Sequence, residues 1–163
     1  MEMMDRLVKL YELPPLEDYI NALREKGILV RRPRAYEKNQ VLEWVQSNFS
    51  KGWMSECDVT FSNSPVSSFI ATRDGDIIGF ACYEATYRNF FGPIGVGEAY
   101  RGGQVGKALL LHCLHAMADM GYAYAIIGGP KEAAPFYARV VGAIDIEGSN
   151  PGIYVDRLRG KDS

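Results

Sequence analysis

The stretch that most constrains this chain is residues 90–120. Residues 90–96 (FFGPIGV) read as an apolar strand. Glycines follow at 97, 102, 103 and 106, and a run with apolar residues at helical spacing begins at Val105. Strand, glycine turn and helix in that order gather unpaired N–H groups and the positive end of a helix dipole at one point. Such a point binds anions. Glycines let a ligand approach the backbone without a Cβ in the way, and Arg101 and Lys107 add positive charge. The residues read as a diphosphate cradle. A tight turn with glycines for packing alone is the competing reading. The P-loop pattern is not met, because Arg101 and Ala108 stand where it needs Gly and Ser or Thr.

At 163 residues the chain is long enough to bury a core without disulfide or metal staples. Lys+Arg 18 against Asp+Glu 20 gives a net charge of −2, which argues against a nucleic-acid or anionic-membrane partner. Cys57, Cys82 and Cys113 are odd in number and widely spaced, the pattern of reduced thiols in a cytosol. Glu2 and Asp5 interrupt the start, so no secretory leader is expected, and no run reaches membrane-spanning length. A cytoplasmic protein is expected.

Taken in order, Leu7, Leu10 and Tyr11 suggest a helix within 2–12. Pro15 opens a second helix, with Glu17 and Asp18 at its positive end, Arg24 and Lys26 at its negative end and Gly27 as the stop. Residues 1–27 are therefore expected to be a helical extension packed on a domain of residues 28–163. Residues 28–32 read as a strand, 35–49 as a helix broken at Gly52-Trp53, and 53–62 as a short second helix. A strand from Pro65 to Thr72 turns at Asp74-Gly75, a strong two-residue hairpin signal, into a return strand over 77–86. The helix over about 104–120 puts Val105, Leu109, Cys113, Ala116 and Met120 on one face. Residues 122–127 read as a strand buried on both faces. A helix follows near 131–140, then short strands at 143–146 and 153–155, then a charged, frayed tail over 157–163. From residue 28 the order is β-α-α-β-β-β-α-β-α-β-β, an α/β fold with a mixed sheet.

Residues 96–110 resemble the acetyl-CoA-binding segment of the GNAT N-acetyltransferase superfamily, whose pattern is Arg/Gln-x-x-Gly-x-Gly/Ala. Arg101 and Gly106 match its ends, while Gln104 replaces the middle glycine and Gly103 precedes it. Residues 134–137 (APFY), followed by Gly142-Ala143, resemble the second motif of that superfamily. The resemblance covers about 28–156 and implies the GNAT fold with acetyl-CoA as co-substrate. It implies that the strand 90–96 is splayed from its neighbour, with Ile94 and Val96 pairing with the pantetheine arm and Gly95 and Gly97 shaping a bulge. It places the pyrophosphate against Arg101, Gly102, Gly103, Gln104, Val105, Gly106 and Lys107, with Phe136 also near the cofactor. A left-handed Gln104 would cost about 1 kcal/mol, and a right-handed one little.

Acetyl transfer to an amine needs a polarised thioester, a base for the amine and a proton for the departing thiolate. The resemblance carries the acid role onto Tyr137; packing on the sheet is the plainer alternative. No base declares itself. Glu98 and Glu56 are the candidates, each equally readable as a solvated charge. A cysteine nucleophile has no activating histidine nearby in sequence. His112 and His115 share a helix face but lack a third ligand, so no metal is expected. The expected function is an acetyl-CoA-dependent N-acetyltransferase acting directly on a primary amine, first of a small molecule. A protein N-terminal or lysine acetyltransferase and a non-catalytic CoA-binding homologue remain the alternatives. A homodimer through exposed C-terminal strands stays open.

Overall fold

Asp74 and Gly75 both take positive φ, 51° and 83°, as a type I′ hairpin turn requires. In the computed structural model, which describes residues 3–160, they join two central strands of one mixed sheet. The strands are β1 (Arg6–Lys9), β2 (Ile28–Arg31), β3 (Ser68–Arg73), β4 (Asp76–Tyr83), β5 (Phe90–Val96), β6 (Tyr124–Ile127) and β7 (Ile144–Asp145). The helices are α1 (Glu17–Glu25), α2 (Lys38–Asn48), α3 (Lys51–Thr60), α4 (Val105–Asp119) and α5 (Ala134–Val141). The sheet order is β2-β3-β4-β5-β6-β1-β7, antiparallel except where β5 meets β6.

Two apolar layers hold the sheet. One is built around α4, whose Leu109, Leu110, Leu111 and Leu114 are all fully buried. A helix apolar on nearly every side needs cover on both of its flanks. It lies on β3, β4 and β5, and α1 packs over it. The other layer is built by α2 and α3, which place Val41, Val45 and Cys57 against Ile70, Phe80 and Cys82. Ser50 separates those two helices: its hydroxyl accepts from the Trp53 N–H at 3.1 Å, an N-cap.

Several expectations are corrected. The helix expected within 2–12 is instead β1, inserted antiparallel between β6 and β7 and followed by a short 3-10 turn that buries Leu10. The break before α3 falls at Ser50, and Gly52 lies inside the helix. Met120 is 55% exposed rather than on the inner face of α4. Tyr124 leaves β6 exposed at its start, not buried on both faces. Residues 153–155 form turns, not a strand, and the Tyr154 N–H closes onto the Pro151 carbonyl at 2.9 Å. Of the tail, 161–163 lie outside the described residues. No helix among the described residues is long and apolar enough to cross a membrane.

Candidate active site

The glycine turn sits where β5 hands the chain to α4. Gln104 N-caps the helix at φ −95° and ψ −2°, in the right-handed region, so the departure from the glycine pattern carries no strain. The left-handed position is Gly102, at φ +82°. A Cβ built on Gly102 would meet nothing within 4 Å, so the turn is open to a ligand on that side. The N–H groups of 102–107 find no backbone acceptor among the described residues. Free N–H groups at the head of a 15-residue helix fit a pyrophosphate. Val105 is buried in the core, so only its main chain is available to such a ligand. Exposed Arg101 folds back and donates from Nε to the Val96 carbonyl at 3.0 Å. The Gln104 side chain buries its Oε1 with no hydrogen-bond partner.

The edge of β5 is prepared by a bulge. Between Phe91 and Ile94 this strand spends three steps while β4 spends two, Ala81 to Tyr83. The extra residue falls at Gly92-Pro93, where Gly92 takes φ +116° and Pro93 has no N–H to offer. An antiparallel strand points alternate residues' main-chain groups to alternate sides. Before the bulge, the Phe90 carbonyl faces β4 and accepts from Glu84; after it, the Gly97 N–H faces β4 and donates to Ile78 at 2.7 Å. The parity has switched, so the main-chain groups of Ile94 and Val96 face away from β4. On that side β6 pairs only with Phe90 and Phe91, leaving them beside a gap.

The expectation that Gly95 and Gly97 form the bulge is therefore corrected. Gly95 is required for another reason. A Cβ there would lie 2.3 Å from the Phe49 ring, which rests directly on the strand.

The gap opens into a cleft of about 670 Å³ whose walls include Ile94, Trp53, Glu56, Thr86, Tyr137 and Tyr154. Tyr137 is 5% exposed and meets the Phe91 ring edge-on, 6.1 Å between centroids. Burial, with Cys113 beside it, pushes its phenol well up, so it stays protonated throughout the neutral range. Phe136 packs against the core next to Tyr137 and is not in the cleft wall. Glu56 is half-buried and accepts from the Thr86 hydroxyl. Burial raises its carboxyl above the ordinary range, partly opposed by the Thr86 bond and by Arg157. Glu98 lies exposed in a 3-10 turn and does not line the cleft. The three cysteines are buried thiols, and burial pushes Cys82 and Cys113 well up, which removes them as nucleophiles. His115 is tied through Nε2 to the Pro14 carbonyl at 2.8 Å, and His112 meets the Phe69 ring at a tilt of 40°, 5.0 Å between centroids.

Sequence reasoning missed Thr86, from the loop after β4, and Tyr154 and Arg157, from the last turns. Arg157 is no loose tail residue: its guanidinium carbon lies 5.5 Å from the Tyr154 ring centroid. Gly128 carried a signal, a glycine pair closing an apolar strand. A Cβ on it would lie 2.1 Å from the Tyr154 hydroxyl, so only glycine lets that ring reach in.

A model of the acetyltransferase (GNAT) family matches residues 38–143, from α2 through the cradle and Tyr137. The chain belongs to the GNAT acetyltransferase family. Among curated proteins, none matches it. Among solved structures, the GCN5-related glucosamine N-acetyltransferase region of a fungal multi-domain GH3 β-N-acetylglucosaminidase superposes with a TM-score of 0.70 at 16% identity, over 88% of this chain and 19% of that one. A GCN5-related N-acetyltransferase from Sphaerobacter thermophilus gives 0.68 at 18% identity, over 88% of this chain and 48% of that one. One from Kribbella flavida gives 0.56 at 11% identity, over 87% of this chain and 53% of that one. At these identities the likeness is one of fold, and this GNAT domain spans less than two thirds of each of those chains.

Proposed function

We propose that this GNAT domain is an acetyl-CoA-dependent N-acetyltransferase that moves the acetyl group directly to a primary amine, probed first on small molecules. The observation that carries this reading is the convergence on one cleft of the bare edge of β5, the protonated phenol of Tyr137 and the half-buried carboxyl of Glu56.

Acetyl-CoA supplies the thioester whose carbonyl carbon takes the new bond to nitrogen as its bond to sulfur breaks. The helix N-terminus and the N–H groups of 102–107 hold the pyrophosphate. The main-chain groups of Ile94 and the N–H of Val96, whose carbonyl already accepts from Arg101, align the arm, and an N–H at that edge stabilises the charge that grows on the carbonyl oxygen. Glu56 takes the proton from the ammonium of the acceptor, directly or through water, a task suited to a carboxyl whose affinity for protons has been raised by burial. Tyr137 donates a hydrogen bond to the departing sulfur and supplies its proton; the second proton that the nitrogen sheds as the amide forms passes to solvent, from which the phenol is recharged.

The test has two steps. Thermal unfolding with acetyl-CoA at about 100 times its dissociation constant should add about 2.7 kcal/mol. That is a rise of roughly 5–10 °C for a chain of this size. Release of free thiol is then followed over a panel of primary amines. A rise with no turnover on any amine, on small molecules or on peptide N-termini and lysines, would leave a CoA-binding protein and remove the transferase reading.

A further inference from the structure

On the α4 face of the sheet lies a second cavity of about 570 Å³; no residue lines both it and the cleft. That volume is within the range of small-molecule sites. Its walls come from β3, β4, α4, the segment before α1 and the loop ahead of β3.

Arg32, which follows β2, sits in this wall in an unusual state. Its Nη1 donates to the Val66 carbonyl at 2.5 Å and to the Tyr83 hydroxyl at 2.6 Å. Its guanidinium carbon lies 4.6 Å from the centroid of the Phe69 ring and 5.7 Å from that of Tyr83. Two bonds and two rings fix the plane of the group. They use one nitrogen only. The Nε–H and both protons of Nη2 make no hydrogen bond, and no carboxylate pairs with Arg32 among the described residues. That free edge is the one with which arginine grips a carboxylate bidentately. The preceding residue shows the satisfied form: Arg31 binds both oxygens of Glu37, at 2.8 and 2.7 Å.

The rest of the wall selects among anions. Glu84 and Asp119 both line the cavity. Two acids beside one arginine disfavour a phosphate dianion and favour a ligand with a carboxylate at one end and an ammonium at the other. Glu84 already accepts from the Asn89 N–H at 2.6 Å and the Tyr122 hydroxyl at 3.1 Å, whereas Asp119 has no partner among the described residues. Leu16, Phe69 and Met120 supply an apolar patch. His112, also in the wall, is held neutral at pH 7, its value pushed down to about 4 by burial first and by His115 and Arg32 next. Its buried Nε2 has no partner.

We infer that this cavity is a second ligand site, in which the pre-fixed, unpaired edge of Arg32 binds the carboxylate of a free amino acid with an apolar side chain while the Asp119 and Glu84 side of the wall receives its ammonium. Such a ligand stabilises the domain and is not the acetyl acceptor.

The test is an amide NMR titration of the whole chain with L-leucine, L-methionine and L-phenylalanine up to about 10 mM, with and without saturating acetyl-CoA. Expected are shifts grouped at 63–69 and 112–120, with an affinity unchanged by acetyl-CoA. The methyl ester and the N-acetyl form of the same amino acid should each bind at least tenfold more weakly. Arg32→Gln should weaken binding at least tenfold, while Tyr137→Phe leaves it unchanged. If Arg32→Gln does not fold, Ala116→Leu, which fills the cavity from α4, should give the same loss. No shifts at 10 mM, shifts centred on Trp53 and Ile94, equal binding of the blocked forms, or tighter binding of inorganic phosphate would each overturn the proposal. A cleft-centred result would bear on the acceptor, so the two readings fail separately.

Discussion

The cradle and the cleft differ in what they are made of. The cradle is main chain: consecutive N–H groups from a single turn, with Arg101 folded back on the Val96 carbonyl and Val105 in the core. The cleft is side chains from segments far apart in sequence: Trp53 and Glu56 from α3, Thr86 beyond β4, Tyr137 from α5 and Tyr154 from the last turns. A main-chain site tolerates substitution as long as its dihedrals hold. A side-chain site loses function one residue at a time but leaves ligand holding elsewhere intact.

The sharpest way to break this contrast is Tyr137→Phe. Turnover should fall about 10²- to 10⁴-fold, the usual worth of a positioned acid, with acetyl-CoA affinity nearly unchanged. Steady-state rates and a thermal-shift titration together decide it; equal losses in both would mean that the phenol serves binding. Next is Glu56→Gln. The wild-type rate should fall as pH drops through a value above the ordinary carboxylate range, because burial raises that group and only its ionised form can take a proton. The variant should lose about 10- to 100-fold at neutral pH and lose that acid limb. An acid limb that survives in the variant's pH–rate profile assigns the base elsewhere.

Gly95→Ala probes the contact between β5 and Phe49 at the end of α2. A methyl 2.3 Å from the Phe49 ring must displace it, at about 1–3 kcal/mol. Thermal unfolding should move down by several degrees. An unchanged midpoint would show that Phe49 is free to swing away. The smallest effect belongs to Gln104→Gly. Since Gln104 is already right-handed, acetyl-CoA affinity should stay within about threefold. A loss beyond that, in the same titration, would give the buried Gln104 amide a role in the cradle.

What could be seen beforehand follows the same division. The strand over 90–96, the Asp74-Gly75 hairpin and the glycine turn are local features with local causes, and each lies where its residues indicate. Residues 6–9 misled because Leu7, Leu10 and Tyr11 are spaced as a helix would space them. Their real partner is a gap between two strands formed more than a hundred residues later. Residues 153–155 misled for the opposite reason: three residues of strand-like composition have no partner strand, and Pro151-Gly152 fold them into turns. Thr86, Tyr154 and Arg157 carry no local mark, since what makes them matter is the cleft itself. Tyr137 stands out in the sequence through its motif, but its burial, which keeps the phenol protonated, comes from Phe91 and the neighbouring core.

The extra residue at Gly92-Pro93 works as a phase shift. Upstream, odd-numbered residues turn their main-chain groups away from β4; downstream, even-numbered ones do. Suppose instead that the same residues paired regularly through this point, with none left over. Ile94 and Val96 would then turn their main-chain groups toward β4 and present Gly95 and Gly97 to the gap. The bulge thus decides which half of the main-chain groups of this strand lies beside the cleft.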